Sequence, residues 1–250
     1  MNAVAVIARK EAGDLLRSPR GLSWLLAMAA ALSAFSLLLI SDAELSLLDN
    51  AEAVYGMCAV IMGLGALLAI VMGVDTVAGE KERGSLVPLL IAPVARDRIL
   101  FGKLAGIAMV WAAMYLLALP YLWAAGGAGQ NLAEGLVSLA LLGTPVVLGF
   151  GFLAMGMGAR LGSTRSALMV CLVILLLAAS PVILGPSLRQ TAVGRIFDWI
   201  NPLSVALNAL DAVIIDSQAV VSQWLHWNLT LLFSGITLWF ARDGFYRTAL

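Results

Sequence analysis

Few side chains in this sequence have the type and spacing that catalysis or metal binding needs. The chain has one histidine, His226, and a lone histidine beside a membrane is most often a hydrogen-bonded structural residue. The two cysteines, Cys58 and Cys171, stand inside apolar stretches and are expected to be small buried hydrophobes. The ten methionines are scattered, which favours flexible packing over a metal path. We therefore predict no catalytic residue, no metal site and no cofactor on this chain.

ATP binding by a phosphate loop is also excluded by the sequence. Such a loop has the form GxxxxGK followed by Ser or Thr. The only Gly-Lys pair is Gly102-Lys103, which has Asp97 in place of the first glycine and Leu104 in place of the hydroxyl residue. The chain is therefore not expected to bind ATP through a phosphate loop.

The composition indicates a membrane protein. Hydrophobic residues make up 62% of the chain and charged residues only 12%, whereas a soluble domain is about half apolar and about a quarter charged. The 15 basic and 15 acidic residues cancel, and this balance disfavours nucleic acid as a partner. The lipid bilayer is the partner that the composition predicts.

Six apolar stretches are long enough to cross a bilayer as helices, which takes about 20 residues. We therefore expect residues 1–250 to form one all-α, polytopic membrane domain. All the basic residues except Arg189 and Arg195 lie before span one, between spans two and three, between spans four and five, or after span six. By the positive-inside rule both termini are cytoplasmic. The predicted spans are 21–40, 54–74, 104–125, 136–159, 166–186 and 220–241.

Three segments outside the spans also have helical patterns. Residues 3–17 are amphipathic and could lie in the membrane interface. Residues 79–103 place charges before an apolar run bounded by prolines, which predicts a short cytoplasmic helix that docks on a partner; the alternative is that this run dips into the interface. Residues 187–219 predict two short helices at the outer leaflet, broken at Pro202.

Glycine spacing predicts close helix packing. Gly102 and Gly106 are four residues apart, as are Gly158 and Gly162. Small residues at this spacing let helix backbones approach closely in lipid. The pairs predict tight packing within the chain or at a subunit interface.

Three motifs stand near the start of the chain, after span two and before the last span. They are Ile7-Ala8-Arg9-Lys10-Glu11, the run from Gly79 to Leu86 followed by Pro93 and Gly102-Lys103, and Asn201-Pro202-Leu203-Ser204. Together they resemble the permease subunit of an ABC-2-type transporter over essentially the whole chain, and compact permeases of copper-site maturation and gliding-motility systems are similar. One departure is Asp211, where many relatives carry a basic residue, and it concerns the role of the outer helices.

The resemblance implies a half-transporter in the cytoplasmic (inner) membrane of a prokaryote. Two permease subunits, identical or related, would pair, and each would dock on a cytoplasmic ATP-binding subunit that carries ATP and Mg. Residues 3–17 would be the elbow helix, and the coupling helix would lie in the loop after span two. The chain itself would be a non-catalytic subunit, in an exporter.

The same resemblance implies the contact residues for the ATP-binding subunit. Charge pairs of the coupling helix would orient it, and its leucines would supply buried contact area. A second, shorter loop between spans four and five would make another contact. The implied residues are Glu80, Glu82, Arg83, Leu86, Leu89 and Leu90 in the first loop, and Arg160 and Arg165 in the second.

Two other functions are compatible with the sequence. In the first, the chain transmits ATP-driven movement to an outer-compartment protein, for example in metal-site maturation, without moving a solute; the scarcity of polar residues in the spans favours this. In the second, it is an ATP-independent channel or carrier. The second is disfavoured because no ionisable residue lies deep in a predicted span, where proton- and sodium-coupled carriers usually need one.

Overall fold

Helices form all the regular structure in the part of the chain that the structure describes. The computed structural model describes residues 3–17, 19–41, 49–91, 94–127, 131–184 and 191–247. Within these ranges the all-α prediction is confirmed. Numbered in chain order, the helices are α1 Ala3–Arg17, α2 Pro19–Ser41, α3 Asn50–Glu82, α4 Leu86–Ile91, α5 Arg96–Gly126, α6 Leu132–Leu161, α7 Thr164–Leu184, α8 Ala192–Ile200, α9 Pro202–Ile214 and α10 Trp224–Arg247.

Among the described residues, five helices are long and apolar enough to cross a membrane, and they correspond to the first five predicted spans. This confirms a polytopic membrane fold. The five segments are Gly21–Ser41, Asn50–Glu82, Arg96–Gly126, Leu132–Leu161 and Thr164–Pro181.

The predicted sixth span, 220–241, is the exception. A 3₁₀ turn, Val220–Gln223, precedes the 24-residue helix α10. Among the described helices α10 has the length of a span but is not one of those apolar enough to count as one. Polar residues such as His226 and Asn228 in its first turns lower its hydropathy. The sixth span therefore stays a prediction.

Helix α3 is longer than its predicted span because it continues through a π-helical turn, Asp75–Gly79, into the charged segment that ends at Glu82. A capping box fixes its other end, where the Asp49 carboxylate accepts a hydrogen bond of 2.9 Å from the Glu52 backbone N–H. The helix thus joins the membrane region rigidly to the loop that the sequence predicts to dock on a partner.

A second π-helical turn, Leu139–Gly143, lies in α6 just before Pro145. Proline lacks a backbone N–H and its ring displaces the carbonyl one turn earlier. A π turn is one of the usual ways to absorb this disturbance inside a helix. Helix α6 therefore continues past Pro145 to Leu161.

Helix α6 packs against α3 through small residues. A Cβ atom added at Gly73 of α3 would collide with the backbone carbonyl oxygen of Gly151, and one added at Gly158 would lie 3.3 Å from the Val74 carbonyl oxygen. The two backbones touch at these points. Gly162, predicted to pair with Gly158, instead has a φ of +64° and ends α6 in the left-handed conformation.

The opposite face of α6 packs against α10 in the same way. Gly149 receives the ring of Phe233, and Gly156 receives the ring of Phe240. The glycines that face α3 are Gly151 and Gly158, and those that face α10 are Gly149 and Gly156. Within each pair the two glycines are seven residues apart, so they lie on the same face of the helix, about two turns from each other. One helix thus offers two glycine-lined faces and holds α3 and α10 on either side.

The short helix α9 is part of the core. Leu203, Leu207 and Leu210 are buried against α3 and its neighbours. Asn201 begins the helix: its side-chain oxygen accepts a hydrogen bond of 3.1 Å from Leu203, and its amide donates to the Ala178 carbonyl of α7 at 2.6 Å. The predicted break at Pro202 is therefore a helix start, and α9 is buried within the helix bundle.

Substitution of Gly73 by alanine should destabilise the protein, because the added Cβ meets the Gly151 backbone, which cannot move without shifting α6. Overpacking of this kind costs about 1–3 kcal/mol, so the apparent melting temperature of the detergent-solubilised protein should fall by several degrees. Gly63→Ala is the matched control on the same helix, since an added Cβ there has no neighbour within 4 Å. Equal melting temperatures for the two variants would contradict this packing.

Candidate functional site: the basic end of the helix bundle

Four basic residues lie at one end of the bundle, where α1, α3, α5, α6 and α10 meet. They are Lys10, Lys103, Arg160 and Arg242. We refer to this end as the basic end. The centre of the basic end is Lys103, whose side chain is fully buried. Its Nζ donates hydrogen bonds to Glu11 Oε1 at 2.9 Å, to Glu80 Oε2 at 2.7 Å and to the Thr76 carbonyl oxygen at 2.8 Å. All three ammonium donors are therefore used.

The charges around Lys103 balance. Glu80 also pairs with Lys10, whose Nζ lies 3.5 Å from the second carboxylate oxygen. Two lysines thus face two glutamates, and these ion pairs offset the cost of removing Lys103 from water. The network links α1, α3 and α5, since Glu11 belongs to α1 and Glu80 to the end of α3. It fixes the relative positions of three helices at the point where they leave the membrane region.

Two glycines of α5 bring α1 within reach of Lys103. A Cβ at Gly102 would lie 2.7 Å from the Ile7 side chain, and one at Gly106 would lie 2.6 Å from Glu11 Cβ. The predicted GxxxG pair therefore forms the groove in which α1 crosses α5. Ala8 and Ala12 of α1 are buried on this side, and the helix has the bounds predicted for the amphipathic elbow.

Glu82 connects the loop after span two to the loop between spans four and five. These are the two loops that the sequence predicts to contact a partner. Its Oε1 accepts a hydrogen bond of 2.8 Å from the Thr164 backbone N–H, and its Oε2 accepts one of 2.8 Å from the Thr164 hydroxyl. These bonds lower the pKa of the Glu82 carboxyl, first through the backbone N–H and then through the hydroxyl. Glu82 lies beyond the predicted span 54–74 and acts as the cap of α7. It thus connects the end of α3 to the start of α7.

The π-helical turn of α3 is closed by an ion pair. Arg83 donates from Nη1 to Asp75 Oδ1 at 3.0 Å and from Nη2 to Asp75 Oδ2 at 3.2 Å. The paired Asp75 carboxylate raises the pKa of the Arg83 guanidinium, which remains charged. Gly79 lies directly beside the Asp75 carboxylate, where a side chain would not fit. This bidentate pair spans the turn and holds it closed at the basic end.

Helices α6 and α10 are joined by Arg160. Its guanidinium donates to Asp243 Oδ2 at 2.6 Å and to the Phe240 carbonyl oxygen at 3.0 Å, and it stacks 3.6 Å from the centre of the Phe240 ring. Arg242 of α10 in turn pairs with Asp97 of α5 at 3.3 Å. The partly exposed Arg160 therefore has a role inside the chain.

The short helix α4 is anchored at one end only. Leu86 is buried against Ile99, Leu104 and Phe245, whereas Ile91 is 78% exposed. The side chains of Leu89 and Leu90 lie outside those that the structure describes. Helix α4 thus has one residue fixed in the core and one large apolar side chain at the surface.

The structure separates the predicted contact residues into two groups. Glu82, Arg83 and Arg165 are exposed on the surface of the basic end. Glu80 and Leu86 differ from the prediction, because both are buried and used inside the chain. Glu80 is buried because the π-helical turn directs its carboxylate toward Lys103 and away from solvent.

Sequence reasoning missed Lys103, which it placed among the loop cations. One signal was present: Lys103 directly precedes an uncharged stretch, so α5 must bury it or expose it at the membrane boundary. Glu11 could not be assigned as its partner, because this requires knowing that α1 folds back on α5. Among the described residues, no group of three His, Cys, Asp or Glu side chains could hold a metal ion.

Substitution of Lys103 by methionine should strongly destabilise the protein, because it leaves Glu11 and Glu80 without their buried cation. Removing one partner of a buried pair costs about 3–5 kcal/mol. A second change, Glu80→Gln, should restore part of this loss, because it removes one of the two orphaned charges. The melting temperatures of the single and double variants form a double-mutant cycle. Strictly additive losses would contradict the network.

The described geometry can now be compared with known proteins. A family model described as "ABC-2 family transporter protein" matches residues 5–247. The probable ABC transporter permease protein NosY of Stutzerimonas stutzeri is 30% identical over 122 residues, which are 47% of this chain and 43% of that protein. The protein of the same name from Pseudomonas aeruginosa strain PAO1 is 30% identical over 125 residues, again 47% of this chain and 43% of the relative.

The alignments with these two permeases span less than half of the length of each relative. The family match, by contrast, covers nearly the whole chain. It confirms the resemblance that the three sequence motifs indicated. The helical fold, with five helices able to cross a membrane, agrees with it. On these grounds the chain belongs to the ABC-2 family of transporter proteins.

Proposed function

We propose that this chain is the permease subunit of an ATP-driven exporter, and that its basic end faces the cytoplasm and docks on a separate ATP-binding subunit. The observation that supports this most directly is the arrangement of α4. Ile91 is 78% exposed at the basic end, whereas Leu86 at the other end of the helix is buried. Because Ile91 lies outside the predicted spans, its side chain offers an apolar contact that a partner can cover.

Helix α4 is coupled to the bundle through a tight turn. Gly84 has a φ of +72°, and the Ser85 backbone N–H donates to the Glu80 carbonyl oxygen at 2.9 Å. Glu80 is in turn bound to Lys103. A displacement of α4 would therefore reach α3, α5 and α1 together, as a rigid-body movement requires.

The exposed charges around α4 suggest the chemistry of the partner. Lys81, Arg83 and Arg165 are exposed, and the Glu82–Thr164 hydrogen bonds hold their two loops side by side. Arg83 is already paired with Asp75. Lys81 and Arg165 are therefore the cations that would face an acidic surface of the partner, with Ile91 in an apolar pocket of that surface. On this proposal the ATP-binding subunit presents such a surface, and Arg165 provides the second contact.

ATP would act by shifting a conformational equilibrium. The ATP-binding subunits close around nucleotide, and this can move the permease only if nucleotide binds the closed form better than the open form. The basic end then transmits the movement, while hydrolysis remains on the partner. A second permease subunit, identical or related, would complete the pathway between the two chains.

Substitution of Ile91 by asparagine should release the ATP-binding subunit, because a partner pocket would then have to bury an unpaired amide. Loss of one central apolar contact costs about 1–2 kcal/mol or more, so the ATPase activity that co-purifies with the tagged chain should fall about tenfold. The co-purifying subunit is identified by mass spectrometry after mild detergent extraction from the native host.

Ile40→Asn is the matched control, because Ile40 is also 78% exposed but lies at the far end of α2. It should retain the ATPase subunit. Wild-type chain that purifies without any ATP-hydrolysing partner, or Ile91→Asn complexes with undiminished ATPase activity, would contradict the proposal.

A second candidate function, mechanical transmission to an outer-compartment protein, is favoured by α8. This helix exposes Ile196, Trp199 and Ile200 at 62%, 53% and 74%, and it leads directly into the buried α9, which contacts α3, α6 and α7. Movement of the bundle would therefore move an apolar surface at the end opposite the basic end.

Substitution of Ile200 by asparagine separates the two functions. If the chain acts on an outer protein, such a protein should co-purify with the wild type and be lost from Ile200→Asn, while the ATPase activity of the complex is unchanged. The reason is that Ile200 lies far from the contacts of the basic end. If no outer protein co-purifies with the wild type, the exporter is favoured. If one does and is retained by Ile200→Asn, α8 is not its docking surface.

A further inference from the structure

We propose that a cleft between α1 and α5 binds the phosphate headgroup of an anionic phospholipid. The cleft has a volume of about 670 Å³ and lies along the exposed face of α1, with Met109 of α5 on its far side. The proposed docking of α4 does not use it. It borders the face of α1 that packs on Gly102 and Gly106, because the buried Ala12 of that face also lines the cleft.

The residues of α1 that line the cleft have the spacing of a phosphate clamp. Arg9, Gly13 and Arg17 follow each other at four-residue intervals, so they lie on one face of the helix, about 6 Å apart along its axis. A Cβ added at Gly13 would have no neighbour within 4 Å. The space above Gly13, between the two arginines, is therefore open to a group of headgroup size.

The charge of the cleft favours an anion. Its lining includes Arg9, Lys10 and Arg17 against the single acidic residue Asp14. Arg9 and Arg17 form no ion pair with any described residue, whereas Lys10 shares the Glu80 carboxylate. Guanidinium groups bind phosphate oxygens in a bidentate manner. Arg9 and Arg17, which pair with no described residue, are thus the groups best placed to bind a phosphate.

The apolar part of the cleft distinguishes a lipid from a soluble anion. Val6 is 44% exposed and Met109 is 41% exposed. Met109 lies within a helix long and apolar enough to cross the membrane, one to two turns beyond the Gly102–Gly106 crossing. The cleft therefore extends from cationic side chains to the depth of the acyl chains. Free phosphate or an acidic protein would use only its polar end, whereas a phospholipid matches both.

The test uses the full-length chain, purified in detergent, stripped of lipid and mixed with micelles of phosphatidylglycerol and phosphatidylcholine in equal amounts. Native mass spectrometry counts the lipids that stay bound. The wild type should retain phosphatidylglycerol preferentially. The double variant Arg9→Gln/Arg17→Gln should lose most of this preference, on the order of fivefold or more, since each basic residue near an anionic lipid contributes about fivefold in affinity.

Two single variants separate a built site from general charge attraction. Gly13→Leu fills the floor of the cleft without changing charge and should reduce the retained phosphatidylglycerol as strongly as the double variant. Arg98→Gln removes an exposed cation of the same end outside the cleft and should leave retention unchanged. Each variant is first shown to elute as a single species with unchanged helicity.

Four results would overturn the proposal. Equal retention of the two lipids by the wild type would show that the cleft has no preference for an anionic headgroup. A loss in Arg98→Gln equal to that in the double variant, or full retention by Gly13→Leu, would show that no site is built at Gly13. Complete displacement of phosphatidylglycerol by millimolar inorganic phosphate would assign the cleft to a free anion in place of a lipid.

Discussion

The rest of the structure depends on a buried ammonium group at the point where three helices leave the membrane region. Lys103 has no exposed surface, and its three donors meet Glu11, Glu80 and the Thr76 carbonyl oxygen. A charge in this position is tolerable only if every partner is in place. The positions of α1, α3 and α5 are therefore fixed together, because none can shift without leaving a charge unpaired.

Inside the membrane region the constraint is different. Lipid is as apolar as the helices, so the hydrophobic effect does not bring them together, and close packing has to stabilise their association. Helix α6 meets this need with glycines on two faces, Gly151 and Gly158 toward α3 and Gly149 and Gly156 toward α10. The apolar interior is close-packed, and the polar groups are concentrated at the ends. The two regions meet at the π-helical turn of α3. The same helix is therefore held by glycine packing on one side of this turn and by the ion pairs of Lys103 on the other.

Much of the fold followed from local sequence, and the site followed less well. The apolar runs predicted the first five spans. The pattern of Val4, Ile7 and Ala8 against the charged Arg9, Lys10 and Glu11 predicted α1, because a single helix face carries that information. The burial of Glu80 could not be predicted, since it depends on a π-helical turn with no strong signature in the sequence. Leu86 was assigned to a partner surface because a cytoplasmic leucine must be covered by something; the structure shows that this chain covers it.

The π-helical turn Asp75–Gly79 also sets the angular phase of α3. One additional residue in a helical turn rotates everything that follows by about 100°, the angle between successive residues of an α-helix. The residues of α3 that follow the turn, including Glu80, therefore point in other directions around the helix axis than an unbroken α-helix would give them. As a result, the contacts of α3 with α6 do not decide the direction in which Glu80 points, and the helix can satisfy its packing and its ion pairs separately.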